Sequence, residues 1–317
     1  MPSFFAKERT AELAVVNLYS DRVEVGHVRR NGPERPVVAL CRHLPCGEDP
    51  SEALQKARRE LNLDRFRCST VLPARQYQVQ LVEAPSAVPN TEMKSAVRWR
   101  LKDALDYPVE LATVDMVTIP ADRSGTGGGR SMYAVSARSQ DIEACMNLFA
   151  SVKLKLSVID IAEMAQRNLA TLFEIDDRAI AMLSFSSEGG LLTFSAQGEL
   201  YLSRRIEISL DQLTDADGEM RTKLYARIAL ELQRSLDHFD RQFSTIPLNR
   251  LLLAPLPDEL NLPDYLAENL SAPVESANLG DVLDFHEAPE LREQAEQLLR
   301  WQTLGAALRF ESASQMN

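Results

Sequence analysis

The feature that most constrains this chain is a strand–turn–strand–turn–strand meander that occurs twice. The first copy covers residues 13–40. Its first two strands are joined by a turn at 19–22, valines alternate with charged residues in the second strand, and a third strand is predicted at 37–40. The second copy begins about 165 residues later with the apolar run 179–185 and contains glycine turns at 189–190 and 197–198. Alternation of this kind is typical of β-strands joined by tight turns. The repeat therefore predicts two related α/β domains in one chain.

Helical segments occupy the intervals between and after the meanders, because apolar residues recur there every three or four positions. We predict helices over residues 50–61, 92–105, 140–152, 220–243 and 289–309. In the third of these helices, Ile142, Met146 and Phe149 are expected to face the core. The proline and acidic residues that open the last helix suit the first turn of a helix.

The charge balance limits the partners of this protein. The 317 residues include 35 Lys plus Arg and 46 Asp plus Glu, which gives a formal net charge of −11. A field of that sign repels phosphate backbones, so we predict no nucleic-acid partner. No stretch approaches the roughly 20 apolar residues that span a bilayer, and residues 1–9 carry charges where a signal peptide is apolar. We predict a cytoplasmic protein without direct membrane insertion.

Two local clusters suggest ligand sites at first inspection. Cys41, His43 and Cys46 offer three zinc ligands, with Cys68 as a fourth, but the spacing lacks the Cys-x2-Cys pairs of common zinc sites. We interpret this segment as a loop with reduced thiols and predict no metal site, with metal binding as the open alternative. The glycine-rich run 124–131 lacks the ending of a phosphate loop and leads into a strand, which favours a flexible hairpin tip.

Several runs, in their order and spacing, carry a family resemblance. A strand ending in Val71-Leu72-Pro73 precedes the helical run 92–99, and Tyr107-Pro108 closes that region. These residues, together with the runs 159–169 and 230–237, resemble the PilM family of type IV pilus assembly proteins. The last two runs are most similar to the MshI proteins of the mannose-sensitive haemagglutinin (MSHA) pilus.

The resemblance implies an actin-like (ribonuclease H-like) two-domain α/β fold with an inserted IC-type subdomain. Residues 1–83 would form subdomain IA, completed by residues 157–175 and the helix over 289–312. Residues 84–156 would form the inserted IC-type subdomain, and residues 176–288 would form domain II. This division agrees with the two meanders.

The nucleotide motifs of actin-like ATPases are altered in this chain. Each hairpin of such an ATPase needs an Asp for the Mg²⁺ shell and a Gly two residues later, where the backbone approaches phosphate. The residues at these positions are Asn17 and Tyr19 in the first hairpin and Ser184 and Ser186 in the second. The adenosine loop, which should carry Gly-Gly, continues from Ala254 into a proline that has no N–H.

We therefore predict a pseudo-ATPase without catalytic residues and without a resident cofactor, with Mg·ATP binding as the alternative. The predicted lining of this degenerate cleft comprises Asn17, Tyr19, Ser20, Ser184, Ser186, Ser187, Gly189 and Ala254. The segment 186–190 could hold an anion through its backbone N–H groups, although a plain hairpin turn is the simpler interpretation.

The resemblance implies a non-catalytic scaffold at the inner face of the inner membrane. The N-terminal cytoplasmic tail of a PilN-like (MshJ-like) inner-membrane protein would lie as an extended peptide between subdomains IA and IC. Other assembly components, such as the pilus motor, are further candidate partners. The predicted partner-binding residues are Val71, Leu72, Pro73, Trp99 and Tyr107.

Two other functions stay open at this stage. One is an active actin-like ATPase whose nucleotide state switches partner binding. The other is a GspL-like cytoplasmic platform of type II secretion, a class whose chains normally continue into a transmembrane helix. The end of this sequence at Asn317 favours the pilus interpretation over that one.

Overall fold

The structure is a computed structural model, and it describes residues 12–30, 32, 34–85, 88–120 and 131–309. The strands in chain order are β1 (Leu13–Leu18), β2 (Arg22–Arg29), β3 (Val37–Pro45), β4 (Arg67–Val71), β5 (Tyr77–Glu83), β6 (Ala112–Thr118), β7 (Ser131–Arg138), β8 (Leu156–Asp160), β9 (Ala179–Ser186), β10 (Gly189–Ala196), β11 (Glu199–Ile206), β12 (Leu248–Leu253) and β13 (Val274–Ser276). The helices are α1 (Pro50–Glu60), α2 (Asn90–Arg100), α3 (Ser139–Ser151), α4 (Ala162–Thr171), α5 (Leu210–Asp215), α6 (Gly218–Gln242), α7 (Leu262–Asn269) and α8 (Gln294–Ala307).

Two five-stranded sheets share one strand order. The first sheet runs β3-β2-β1-β4-β8 and the second runs β11-β10-β9-β12-β13. In each sheet an antiparallel meander continues into two parallel strands, as β1–β4–β8 and as β9–β12–β13. Both predicted meanders are confirmed, and the paired sheets make the actin-like fold expected from the sequence.

Helices α4 and α8 join the two sheets. The two helices are in tight contact at Gly305, where an added Cβ would lie 2.3 Å from the carbonyl oxygen of Ala165, so no side chain fits there. Asn168 also donates a hydrogen bond of 3.0 Å to the Gly305 carbonyl. Val15 of the first sheet and Ile180 of the second lie in the same buried apolar cluster as these helices. The two sheets therefore share a core on either side of this helix pair.

A third sheet of three antiparallel strands has the order β5-β7-β6. Helix α2 covers one face of this sheet, because Val97 and Leu101 pack with Met132 and Ala134. The sequence-based division put the strand over residues 76–83 in subdomain IA, whereas all seven residues of β5 pair with β7. The division into subdomains itself stays a prediction.

Some local predictions need correction. The Cys41–Cys46 segment is not a loop, because β3 continues to Pro45 and places His43 opposite Glu24 on β2. Met146 is 53% exposed, whereas Phe149 is fully buried as predicted.

Helix boundaries also differ from the sequence-based ones. The second predicted helix ends at Arg100, and the last α-helix begins at Gln294 after a short 3-10 turn over Pro289–Arg292. The glycine-rich tip mostly falls outside the described residues. Among the helices that the structure describes, none combines the length and apolar character needed to cross a membrane.

Candidate functional site

Asn17 lies near the end of β1 and is buried, with 2% of its surface exposed. Its side-chain oxygen accepts a hydrogen bond of 2.9 Å from the N–H of Val71, which ends β4. Its side-chain nitrogen donates a bond of 3.0 Å to Oγ1 of Thr303 on α8. This amide therefore uses both a donor and an acceptor within the protein, which a carboxylate at the same position could not do.

Thr303 continues this chain of hydrogen bonds to a buried carboxylate. The Thr303 hydroxyl donates to Oε2 of Glu24 at 2.6 Å, and the Nε–H of Arg22 donates to Oε1 of Glu24 at 2.7 Å. Glu24 is only 1% exposed, so these bonds compensate the loss of its hydration. A Cβ at Gly26 would lie 2.8 Å from the Thr303 methyl group, so glycine permits α8 to lie against β2.

Tyr19 lies in the turn of the first hairpin, where its side chain is partly buried. Its hydroxyl donates to Oε1 of Gln302 at 3.3 Å, and the guanidinium of Arg22 lies 4.4 Å from the centre of its ring. Burial, and secondly the negative charge of Glu24, raise the pKa of Tyr19 far above its ordinary value. Ser20, the next residue of the turn, is exposed.

Ser184 occupies the corresponding place in the second hairpin and has a different partner. Its hydroxyl donates to Oε1 of Gln166 on α4 at 2.5 Å. The side-chain nitrogen of Gln166 lies 2.8 Å from the Met182 carbonyl and 3.0 Å from Oγ1 of Thr193. Gln166 is 2% exposed, so one neutral amide from α4 organises this hairpin.

The turn that follows β9 is closed by its own side chains. The hydroxyl of Ser186 accepts a bond from the N–H of Glu188 at 3.2 Å and donates to the Gly189 carbonyl at 3.3 Å. Ser187 is exposed, and Gly189 has a φ of +121°, a conformation that favours glycine. This geometry is that of a hairpin turn, which was the simpler of the two interpretations of the segment.

Glu188 at the tip of this hairpin reaches the turn that follows β4. Its carboxylate accepts a hydrogen bond of 2.9 Å from the N–H of Ala74 and lies 3.6 Å from the guanidinium of Arg75. Ala74 directly follows Pro73, so this contact joins the second hairpin to the predicted partner-binding segment. Nothing in the sequence pattern pointed to Glu188, because an exposed acid in a turn is common.

Ala254 is buried, and its N–H donates to the Leu183 carbonyl at 2.8 Å. A cavity of about 140 Å³ lies beside it. The cavity is lined by Ala254, Pro255, Leu256, Pro257, Asp258, Leu260, Pro263, Ser276, Ala277 and Gln294. Ligand pockets typically have volumes of roughly 300–1,000 Å³, so this space is small for a nucleotide.

A polar triad that sequence reasoning missed joins the third sheet, helix α4 and the second sheet, and two of its members, Tyr77 and Glu163, are buried. The hydroxyl of Tyr77 on β5 donates to Glu163 on α4 at 2.6 Å. The guanidinium of Arg205 on β11 lies 2.5 Å from the Tyr77 hydroxyl and 2.8 Å from the Glu163 carboxylate. Burial first, and then the charge of Glu163, raise the pKa of Tyr77 well above its ordinary value. The only available signal was an acidic residue on the inner side of α4.

The five predicted partner-binding residues are divided among different surroundings. Val71, Leu72 and Tyr107 are buried in three separate apolar clusters. Pro73 is partly exposed at the start of a 3-10 turn, and Trp99 is 58% exposed on α2. Pro73 and Trp99 are therefore the two members whose side chains an incoming peptide could reach directly.

The cysteine and histidine cluster also has internal partners. Cys41 and Cys68 are buried on β3 and β4, and burial raises the pKa of the Cys41 thiol to about 12. The ring of His43 lies 2.7 Å from the guanidinium of Arg300 on α8. Within the described part of the chain, no group of three His, Cys, Asp or Glu residues is arranged to hold a metal ion.

Comparisons with known proteins agree with the fold. No protein-family model matches the chain, and no curated protein matches it significantly. A chain of a PilM–PilN type IV pilus biogenesis complex is 18% identical with a TM-score of 0.73, and the match covers 95% of this chain and 98% of that one.

Two further solved structures are less similar. The cytoplasmic domain of EpsL, from the type II secretion system of Vibrio cholerae, has a TM-score of 0.49 at 14% identity, covering 84% and 88% of the two chains. A Bacteroides thetaiotaomicron protein with an actin-like ATPase fold and unknown function has a TM-score of 0.47 at 8% identity, covering 89% and 96%. The two sheets of identical strand order and the match to the PilM–PilN chain together show that this chain has the actin-like fold.

Proposed function

We propose that this protein is a non-catalytic scaffold of type IV pilus assembly that binds the cytoplasmic tail of a PilN-like inner-membrane protein. The observation that carries the proposal is the match to a chain of the PilM–PilN complex along nearly the full length of both chains. In this proposal the protein is cytoplasmic and is held at the inner face of the inner membrane by that partner.

The side chains at the two hairpins support the non-catalytic part of the proposal. Asn17 and Ser184 bond to Thr303 and Gln166. Neither residue supplies the carboxylate that would organise a Mg²⁺ ion. A scaffold retains the fold and its partner surface without needing these groups to face a nucleotide.

The finer assignment follows the sequence runs that are most similar to MshI. We propose an MSHA-type pilus, an MshI-like role and an MshJ-like protein as the owner of the bound tail. The pilus motor and other assembly components are further candidate partners.

Titration of the tail peptide tests the scaffold. A fluorescently labelled peptide of the PilN-like tail should bind the purified full chain, and a scrambled peptide should not. Trp99→Ala should weaken binding roughly ten-fold if Trp99 is an anchor. Leu111→Ala is the matched control, since Leu111 is 57% exposed and Trp99 is 58% exposed. Absence of binding by the wild-type chain would overturn the proposal.

A second candidate is an actin-like ATPase whose nucleotide state controls partner binding, because the cavity beside Ala254 lies where the adenosine loop is predicted, although its volume of about 140 Å³ is small for a nucleotide. Thermal melting with and without millimolar Mg·ATP separates the two functions, because a ligand that binds only the folded state must raise the melting temperature. We expect no rise. A rise together with phosphate release would replace the scaffold by the ATPase.

A further inference from the structure

The described sheets have six edge strands, and most of them are protected against pairing with another chain. Natural sheets block their edges by short strands, charges or covering segments. At β3, the backbone of Asp284 bonds to Val38 and Pro36. At β11, the hydroxyl of Tyr133 accepts the N–H of Ser203 at 3.0 Å.

The remaining edges of the larger sheets are short, and β6 is blocked by charge. Strands β8 and β13 have five and three residues. At β6, the carboxylate of Asp115 accepts the N–H of Met116 at 2.9 Å, and the ammonium of Lys94 lies 2.8 Å from the same carboxylate. A main-chain donor on this edge is thus already occupied.

Strand β5 lacks these protections over residues 77–82, although the Glu83 carbonyl at its end accepts a hydrogen bond from the side chain of Arg100. Its seven residues pair with β7 without a register shift, and they include no proline, no lysine and no charge before Glu83. Leu81 is 52% exposed, and every residue after Tyr77 is partly or fully exposed. An open and regular edge of this kind is a template for an additional strand.

The register shows which main-chain groups point outward. The N–H of Ile119 donates to the Ser131 carbonyl, and the N–H of Met116 is taken by Asp115 instead of β7. Both observations mean that Ser131 and every second residue after it bond to β6, because the residues of a central strand alternate between its two neighbours.

The remaining residues of β7 must then bond to β5. Their partners on β5 are Gln78, Gln80 and Val82. The N–H and C=O groups of Val79 and Leu81 consequently face away from the sheet. The Glu83 carbonyl has the same parity, and it accepts a bond of 2.9 Å from the side chain of Arg100, which lies outside the sheet.

We infer that β5 is a strand-addition site, where a partner segment pairs with the main chain of Val79 and Leu81. The inference rests on the proposed function and takes the PilN-like tail as the occupant. The open edge is short, because Tyr77 at one end is buried against Glu163 and Arg205, so a single extended segment fits it better than a second folded copy. The segment needs free N–H groups where it pairs and an apolar residue beside Leu81.

Amide hydrogen exchange, followed residue by residue by NMR, tests which residues of β5 pair with the tail. Saturating tail peptide should slow exchange at Val79 and Leu81 about ten-fold or more, since these amides gain partners. Gln80 and Val82, already bonded to β7, should change less. Equal slowing at all four amides, or no change at any of them while the peptide is bound, would overturn strand addition but leave the scaffold standing.

Leu81→Pro supplies the second test, because the N–H that it removes faces outward and is not needed by β7. We expect this variant to fold and to bind the tail roughly ten-fold more weakly. Leu81→Ala is the matched control that keeps the N–H, and it should lose less affinity.

Three other results of these binding measurements decide between strand addition, dimerisation and the proposed function. Full affinity in Leu81→Pro would contradict the inference. If that variant fails to fold, binding is measured with two tail peptides, one N-methylated at the odd-numbered residues and one at the even-numbered residues. Only the peptide whose methyl groups block the N–H groups that pair with β5 should bind weakly. The wild-type chain could instead form a concentration-dependent dimer. If the tail peptide does not dissociate this dimer and Leu81→Ala weakens it, the β5 edge belongs to a second copy of the chain, and the inference is overturned. No binding of the tail to the wild-type chain would refute the proposed function itself.

Discussion

The first and second hairpins occupy equivalent places in sheets of identical strand order, yet they are stabilised by different chemistry. Asn17 faces Glu24 across its hairpin, whereas Ser184 faces Leu191 across the other. The first hairpin therefore contains a buried carboxylate whose partners come partly from α8. The second has the neutral pair Ser184 and Leu191 at the matching positions, and it uses Gln166 from α4. Equivalent positions in a duplicated fold thus need not perform equivalent tasks.

The comparison implies unequal sensitivity to mutation. A buried charge that loses a hydrogen-bond partner costs more free energy than a buried neutral group does. The four predictions below test that inequality, and they are arranged from the largest expected effect to the smallest.

Thr303→Val should lower the free energy of unfolding by about 3 kcal/mol, because it removes the acceptor of Asn17 and a donor to Glu24 while keeping the side-chain volume. Urea unfolding followed by circular dichroism measures the loss. Thr303→Ser, which keeps the hydroxyl, should cost about 1 kcal/mol for the missing methyl group. Similar losses in both variants would show that the hydroxyl network contributes little.

Asn17→Asp and Ser184→Asp restore the carboxylates of an actin-like nucleotide site, and they should differ. A carboxylate at 17 would be buried near Glu24 and would lose the donor to Thr303, so we expect a loss of about 3 kcal/mol at pH 8. Ser184 is partly exposed, and its replacement should cost about 1 kcal/mol.

The destabilisation caused by Asn17→Asp should depend on pH in a definite direction. Burial raises the pKa of the new carboxyl in the folded state. The destabilisation should therefore be small below about pH 4, and it should grow as the pH rises above the pKa that this carboxyl has in the unfolded chain. Urea midpoints between pH 4 and pH 8 measure this trend. Equal costs for the two variants across this range would remove the proposed difference between the hairpins.

Tyr19 gives the first hairpin an alkaline sensitivity that the second lacks, since Ser186 has the corresponding place. Its pKa is raised above the ordinary 10.0, so the unfolded chain loses the proton first and stability falls above pH 10. Tyr19→Phe should make this decline shallower by up to about 1.4 kcal/mol per pH unit. The test is urea unfolding from pH 9 to pH 12, and superimposable slopes would contradict the prediction.

Glu188→Ala should have the smallest effect, a loss of about 1 kcal/mol or less, because its contact with Ala74 lies at the surface. The more specific result is faster hydrogen exchange at the Ala74 amide. Ser187→Ala, a change at the neighbouring exposed position, is the control and should leave that amide unchanged.

Local patterns in the sequence predicted much of the fold. Alternation located both meanders, and the hairpin turn is closed by a bond of 2.8 Å from Tyr19 N–H to the Arg22 carbonyl. The helix predicted over residues 220–243 is confirmed as α6, and Ile228, Leu232 and Phe239 on its inner side are buried. Met146 was predicted incorrectly, because helical spacing does not show how wide a face the neighbouring elements cover.

The candidate site was less accessible to sequence reasoning. The sequence supplied the absence of carboxylates at Asn17 and Ser184, but the residues that satisfy these side chains lie far along the chain. Thr303 is 286 positions from Asn17, and Glu188 is 114 positions from Ala74. No local periodicity marks such pairs.

The sequence by itself determined the repeated meanders, the amphipathic helices and the missing acidic residues, because each depends on the spacing or identity of residues along the chain. The tertiary structure alone decided that Thr303 bonds to Asn17, that Gln166 bonds to Ser184 and that β5 forms an open edge. These features depend on which face of α4 and α8 meets each sheet and on which strand lies outermost. Long-range packing sets both, because backbone hydrogen bonding and local hydrophobic spacing are satisfied equally well by several arrangements.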